Sequence, residues 1–233
     1  MGEGMEGSRY NVVARHFDRD LENLKTRLLR MGGTVEDLIA RSLEALRNRD
    51  ERMATQALKI EEEIDAEEVV IEEECLKLIA LYQPVAGDLR FIASVLKINA
   101  ELERMGDLAA HISERARDLA SQPNGGLPTN LSEMAVAAQA MVRRSLESLI
   151  SQDAKMAMEV LDADDVVDEH HKQMFSQVVS EIHANSSNTE AMLEMLSVSR
   201  YLERIGDSAT NIAEDVYYLV EGTIIRHQDD HVD

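Results

Sequence analysis

Four pairs of acidic residues, each pair four positions apart, carry the chemistry of this 233-residue chain. Glu61 and Asp65 form the first pair, Glu103 and Asp107 the second, Asp164 and Asp168 the third, Glu203 and Asp207 the fourth. On a helix, positions i and i+4 are neighbours at about 5–6 Å between Cβ atoms, so each pair sets two carboxylates side by side, where they repel. Glu68 and Glu72 continue the first stripe, and His171 continues the third. Carboxylates gathered from two helices need cations, protons or water to offset their repulsion. Hard oxygen donors of this kind suit magnesium, manganese, calcium or iron. The competing interpretation is a solvated acidic face with Arg104 and Arg204 as internal counter-ions.

The second and fourth pairs sit in a repeated segment. Leu102-Glu-Arg-Met-Gly-Asp107 returns as Leu202-Glu-Arg-Ile-Gly-Asp207, and aligning 91–115 with 191–215 gives nine identities. That density marks an internal duplication. The apolar rhythm repeats too. Val95, Ile98, Leu102, Met105, Ala109 and Ile112 step by three and four, and Met195, Val198, Leu202, Ile205, Ala209 and Ile212 match them. Such spacing is a helix seam. A glycine inside a helix costs about 1 kcal/mol relative to alanine, yet Gly106 and Gly206 stand at the same register in both copies. A repeated penalty points to a site or a close packing contact.

The elements that must position these residues follow from the same periodicity. A loose tail is expected over 1–15. A helix over 16–47 follows, in which Gly32-Gly33 predicts a kink. Asp50 is placed to cap a second helix, 51–82. Pro84 and Gly87 break it, and Asp88 is placed to cap a third, 89–120. The uncharged stretch 121–130, with two prolines and two glycines, is the linker. Asn130 with Glu133 has the form of a capping box opening a fourth helix, 131–151. Asp153 is placed to cap a fifth, 154–184, and Asn188 a sixth, 189–221, which Gly222 ends. A polar tail covers 223–233. Short connections make sequential helices antiparallel. The fold class is therefore all-α: two tandem antiparallel three-helix bundles, 16–120 and 131–222, related by duplication. Helices two and three of each bundle would then face their acid pairs toward each other.

Composition narrows the function. Net charge is −21, from 45 acidic against 24 basic residues, which repels phosphate backbones and argues against nucleic-acid binding. Cys75, the single cysteine, allows no intrachain disulfide and falls on an apolar face, as a core thiol would. No apolar run approaches a membrane span, and the first residues lack the pattern of a signal peptide. A cytoplasmic protein without direct membrane insertion is expected. Ferritin-like di-iron sites use Glu-x-x-His, and none of the seven histidines has a glutamate three positions before it. A carboxylate-bridged metalloenzyme is the alternative this disfavours. The methionines of helices four and five, Met134, Met141, Met156 and Met158, predict an apolar face that a second copy would cover, giving a homodimer.

The run Cys75-Leu-Lys-Leu-Ile-Ala-Leu-Tyr-Gln-Pro-Val-Ala-Gly-Asp-Leu-Arg90, followed by Leu96-Lys-Ile98 and the two Leu-Glu-Arg-x-Gly-Asp segments, resembles the PhoU family. Met31-Gly32 with Val35-Glu36, and Asn211-Ile-Ala213, extend the likeness over about 16–227. The chain departs at Met105, where the family usually has isoleucine. The resemblance implies a non-enzymatic adaptor between the ATPase of a phosphate ABC transporter (PstB-like) and a sensor histidine kinase (PhoR-like). Such an adaptor would hold down phosphate uptake and the phosphate regulon. An accessory role for a low-affinity phosphate carrier is a second alternative. The resemblance also implies metal binding at the paired (D/E)-x-x-x-D segments, with iron, zinc, nickel, manganese or magnesium as candidate ions. These segments map onto Glu61/Asp65, Glu103/Asp107, Asp164/Asp168 and Glu203/Asp207.

Overall fold

The computed structural model describes residues 3–122 and 126–225, with side chains from Arg15 onward. Six long helices run through it: α1 (Glu3–Asn48), α2 (Glu51–Tyr82), α3 (Ala86–Ala120), α4 (Thr129–Ser151), α5 (Ala154–Ala184) and α6 (Thr189–Glu221). A single 3-10 turn, Ser186–Asn188, precedes α6. Helices α1, α2 and α3 pack mutually into one bundle, and α4, α5 and α6 into a second. The expected all-α class and paired three-helix bundles are what the chain forms.

Several local expectations are confirmed in atomic detail. Asp50 accepts hydrogen bonds from the backbone N–H groups of Arg52 and Met53. Asp153 does the same for Lys155 and Met156. Each follows a residue with positive φ, Arg49 (52°) and Gln152 (51°), so the α1–α2 and α4–α5 corners are the same turn built twice, 103 positions apart. Gly222 ends α6 at φ 74°, its N–H bonded to the Tyr218 carbonyl.

Other expectations are corrected. The first helix begins at Glu3, inside the stretch expected to be a loose tail, because no proline interrupts it before the seam begins. Of the polar tail, 226–233 lie outside the described residues, as do 1–2 and the linker residues 123–125. Asp88 is not a cap: α3 starts at Ala86 after Val85, leaving Asp88 in the first turn. There its charge favours the helix dipole instead. Asn130 is inside α4 rather than before it, and its amide donates to Gln177 on α5. Asn188 precedes α6 without a side-chain cap. Asn185 takes the capping role one turn earlier, accepting from the Ser187 N–H. Gly32 does not break α1. A Cβ there would stand 2.8 Å from Leu146 Cδ2 on α4, so the glycine lets the two bundles touch.

The seams identified by periodicity are the core. Val95, Ile98, Leu102, Met105, Ala109 and Ile112 are buried, as are their six counterparts on α6. The bundles lie side by side, with α3 packed along α6 and one continuous apolar core beneath both. Polar pairs fix the register of that joint. Lys97 Nζ meets Asp215 at 3.0 Å, Asn211 donates to Glu101 at 3.2 Å, and Arg115 meets Glu194 at 3.0 Å. The rings of His111 and Tyr201 stack at 5.3 Å. Residue numbers fall on α6 as they rise on α3, so the two helices are antiparallel. Glu101–Asn211 and Tyr201–His111 are one contact exchanged by the duplication, as a pseudo-twofold axis across the joint requires.

Candidate metal centre

In the first bundle, Glu61 and Asp65 occupy successive turns of α2, and Asp107 reaches toward them from α3. One carboxylate oxygen from each lies within 4.8 Å of the others. Oxygens sharing a divalent cation at about 2.0–2.6 Å can be at most about 5 Å apart, so this donor set fits a hard cation. Glu103, expected as the fourth member, stands outside the convergence. Its carboxyl is nonetheless pushed up by burial, then by Asp107, Asp65 and Glu68. Burial also raises Glu61, helped by Asp65 and Asp107 against a smaller opposing pull from His111. Asp65 is raised by burial and by Asp107. These shifts are the signature of carboxylates forced together in partial shelter from water.

Gly106 makes the approach of the two helices feasible. A Cβ there would meet Ile64 Cδ1 and Cγ2 at 3.3 Å, and Ile64 lies between the two α2 acids. The repeated mid-helix glycine is therefore a packing contact serving an acidic site.

The second bundle builds the equivalent patch differently. A Cβ on Gly206 would lie 3.3 Å from Asp164 Oδ1 and 3.5 Å from Val167 Cγ1, so the Asp164 carboxylate rests against the glycine backbone of α6. Burial, then Asp207, Asp168, Asp165 and Glu203, push the Asp164 carboxyl up to about 6. Asp207 is raised by burial, Glu203 and Asp168, with Arg204 opposing. All four expected acids therefore act on one another. Among the described residues, however, the three-way convergence of oxygens occurs only in the first bundle.

Two participants were not assigned from sequence. Glu68 contributes to the field at Glu103, and its place on the i, i+3 continuation of Asp65 was visible. His111, four residues after Asp107, carried the same helical signal, but only the packing of α6 shows it braced by Tyr201.

Two side-by-side helical bundles, each with a carboxylate patch spanning its second and third helices, define a duplicated acidic helical-bundle protein. The PhoU domain model matches at 28–116 and again at 131–216, and the chain belongs to the PhoU family. It is 39% identical over 210 residues to a phosphate-specific transport system accessory protein PhoU homolog of Aquifex aeolicus, covering 90% of this chain and 95% of that one. A protein of the same description from Pseudomonas aeruginosa is 35% identical over 92% of this chain and 89% of its own length. The crystal structure of PhoU from Pseudomonas aeruginosa superposes with a TM-score of 0.84, at 36% identity, over 89% of this chain and all of that one. That of the phosphate transport system regulatory protein PhoU from Streptococcus pneumoniae gives 0.82 at 26% identity, over 90% and 99%.

Proposed function

We propose that this protein is a non-enzymatic accessory of phosphate transport. It links the ATPase of a phosphate ABC transporter to a sensor histidine kinase and restrains both uptake and the phosphate-starvation response when phosphate is plentiful. The observation that carries this reading is near full-length similarity to proteins named as phosphate-specific transport system accessory proteins. No helix of the described residues is long and apolar enough to cross a membrane, so contact with a transporter would run through its soluble ATPase, in the cytoplasm. The carboxylate patches hold divalent cations that brace α2 against α3 and α5 against α6. Iron, zinc, nickel, manganese and magnesium are the ions to test.

Deleting the gene should raise phosphate uptake and switch on starvation genes in rich phosphate. The purified protein should retain the ATPase and the kinase in pull-downs, with a difference between high and low phosphate. Normal repression in the deletion strain would sink the adaptor reading.

A further inference from the structure

The two bundles are not equivalent on the outer face between their second and third helices. Between α5 and α6 lies an open groove of about 580 Å³, whose lining includes His171, Phe175, Leu193, Arg200, Arg204 and one acid, Glu203 of the carboxylate patch. Phe175 is 59% exposed and Leu193 50%, so two large apolar side chains face water beside two arginines. Neither arginine forms a direct ion pair among the described residues, although Arg204 acts on Asp207 without touching it and the chain carries a net charge of −21.

The duplication shows what changed. With the offset fixed by the matching corner turns, His171 and Phe175 correspond to Glu68 and Glu72 of α2. Leu193 and Arg200 correspond to Ala93 and Ala100 of α3. Hydrogen bonding supports the alignment: Asn99 donates to the Glu68 carbonyl, and Ser199, its counterpart, pairs with His171 at 3.0 Å. Arg104 bonds Glu101 at 3.3 Å in the first bundle, whereas Arg204 has Tyr201 at that position, turned toward His111. At five matched places the second bundle has thus exchanged acidic or small residues for basic or large apolar ones, or has freed an arginine from its partner.

We propose that the α5–α6 groove docks an acidic, amphipathic helical segment of a partner protein, with an apolar anchor seated between Phe175 and Leu193 and carboxylates on Arg200 and Arg204. Charge complementarity sets the sign: Arg200 and Arg204 outnumber the one acid of the lining, Glu203, so the apolar surface beside them suits an acidic segment, not a basic one. Helix-in-groove recognition joins apolar anchors of this kind to flanking charge, and exposed aromatic and arginine side chains are the usual carriers of binding energy. The inference rests on the adaptor reading for its premise that a partner protein docks, and it names the chemistry and the face.

Fluorescently labelled helical peptides with two leucines at i and i+4 and rising glutamate content test it by anisotropy on the full-length protein. Affinity should rise by about tenfold from the neutral to the most acidic peptide and fall with added salt. A lysine-substituted peptide should bind more weakly than the neutral one, opposite to what net charge alone dictates. Arg200→Glu should cancel the preference for glutamate, and Phe175→Ser should weaken neutral and acidic peptides alike; both sites are exposed, and circular dichroism checks the fold. Preference for the lysine peptide, an unchanged glutamate preference in Arg200→Glu, or no saturable binding of the acidic peptides overturns the proposal. So does Phe175-dependent binding to phosphatidylglycerol vesicles in place of peptides. Lost repression on gene deletion without peptide binding would remove the groove and keep the adaptor; peptide binding with normal repression would do the reverse.

Discussion

Asp164 and Asp207 show how a carboxylate's surroundings become a measurable dependence on solution conditions. A carboxyl raised in the folded state holds its proton more tightly there than in the unfolded chain, so its contribution to stability declines as pH rises through the folded value. For Asp164 the window runs from its ordinary 3.8 to about 6. Without metal, Asp164→Asn should flatten the fall in melting temperature across that window and raise it at neutral pH. A bound cation favours the ionised form and reverses the sign, so metal-dependent stabilisation should grow from pH 4 to pH 6. Changing Asp107 and Asp207 together to Asn should remove most of the melting-temperature gain from added metal, which otherwise follows RT ln(1 + [L]/Kd). The metal-free variant should be no less stable than its metal-free parent. If metal shifts neither protein, the patches are solvated faces. The acid pairs were legible as a spacing, but Glu103's displacement from the converging trio was not, because periodicity gives the face of a helix and not the reach of a side chain.

At the scale of the element, the two glycines look alike in sequence and differ in what they touch. Alanine at either position gains about 1 kcal/mol of helix propensity. At Gly106 the neighbour is Ile64, buried and β-branched, with both Cδ1 and Cγ2 at 3.3 Å. Overpacking such a contact costs about 1–3 kcal/mol, so Gly106→Ala should melt lower than the parent. At Gly206 the nearest atom is a carboxylate oxygen at the patch edge, which can swing away, so Gly206→Ala should melt higher than Gly106→Ala. Equal melting temperatures would mean that both contacts relax freely. The helices were legible because their seams are long and regular. Caps were legible where an aspartate followed a tight corner, as at Asp50 and Asp153. They misled at Asp88 and Asn130, where α3 starts at Ala86 rather than at 89 and α4 at Thr129 rather than at 131, earlier than the polar side chain alone implies.

For the whole molecule, sequence periodicity gave two bundles but not their arrangement. A seam shows that a helix is apolar on one side, yet α3 and α6 each pack against three other helices. The methionines of α4 and α5 also misled: Met134 and Met141 are in the core, and of the four named from the sequence only Met158, at 39%, is substantially exposed. A homodimer would rest instead on apolar surface such as Leu81, Val85 and Leu89 at the α2–α3 corner, where Val85 is 74% exposed. Light scattering at micromolar concentration should give twice the 26.1 kDa chain mass. A double change of Leu81 and Val85 to glutamate should return it to the single mass; a monomeric parent would remove the expectation.

The pseudo-twofold joint between α3 and α6 also carries a historical consequence. A half-length ancestor whose third helix met its own copy would have made the Glu101–Asn211 contact and its mirror, Tyr201–His111, as one contact occurring twice. Fusion of two such genes would release each side to diverge; one is now a hydrogen bond and the other a pair of stacked rings. Separately encoded halves, cut between Gln122 and Gly126, should therefore reassemble when produced together, giving the helical spectrum and melting transition of the intact chain. Halves that stay apart would place the origin of the joint after the fusion rather than before it.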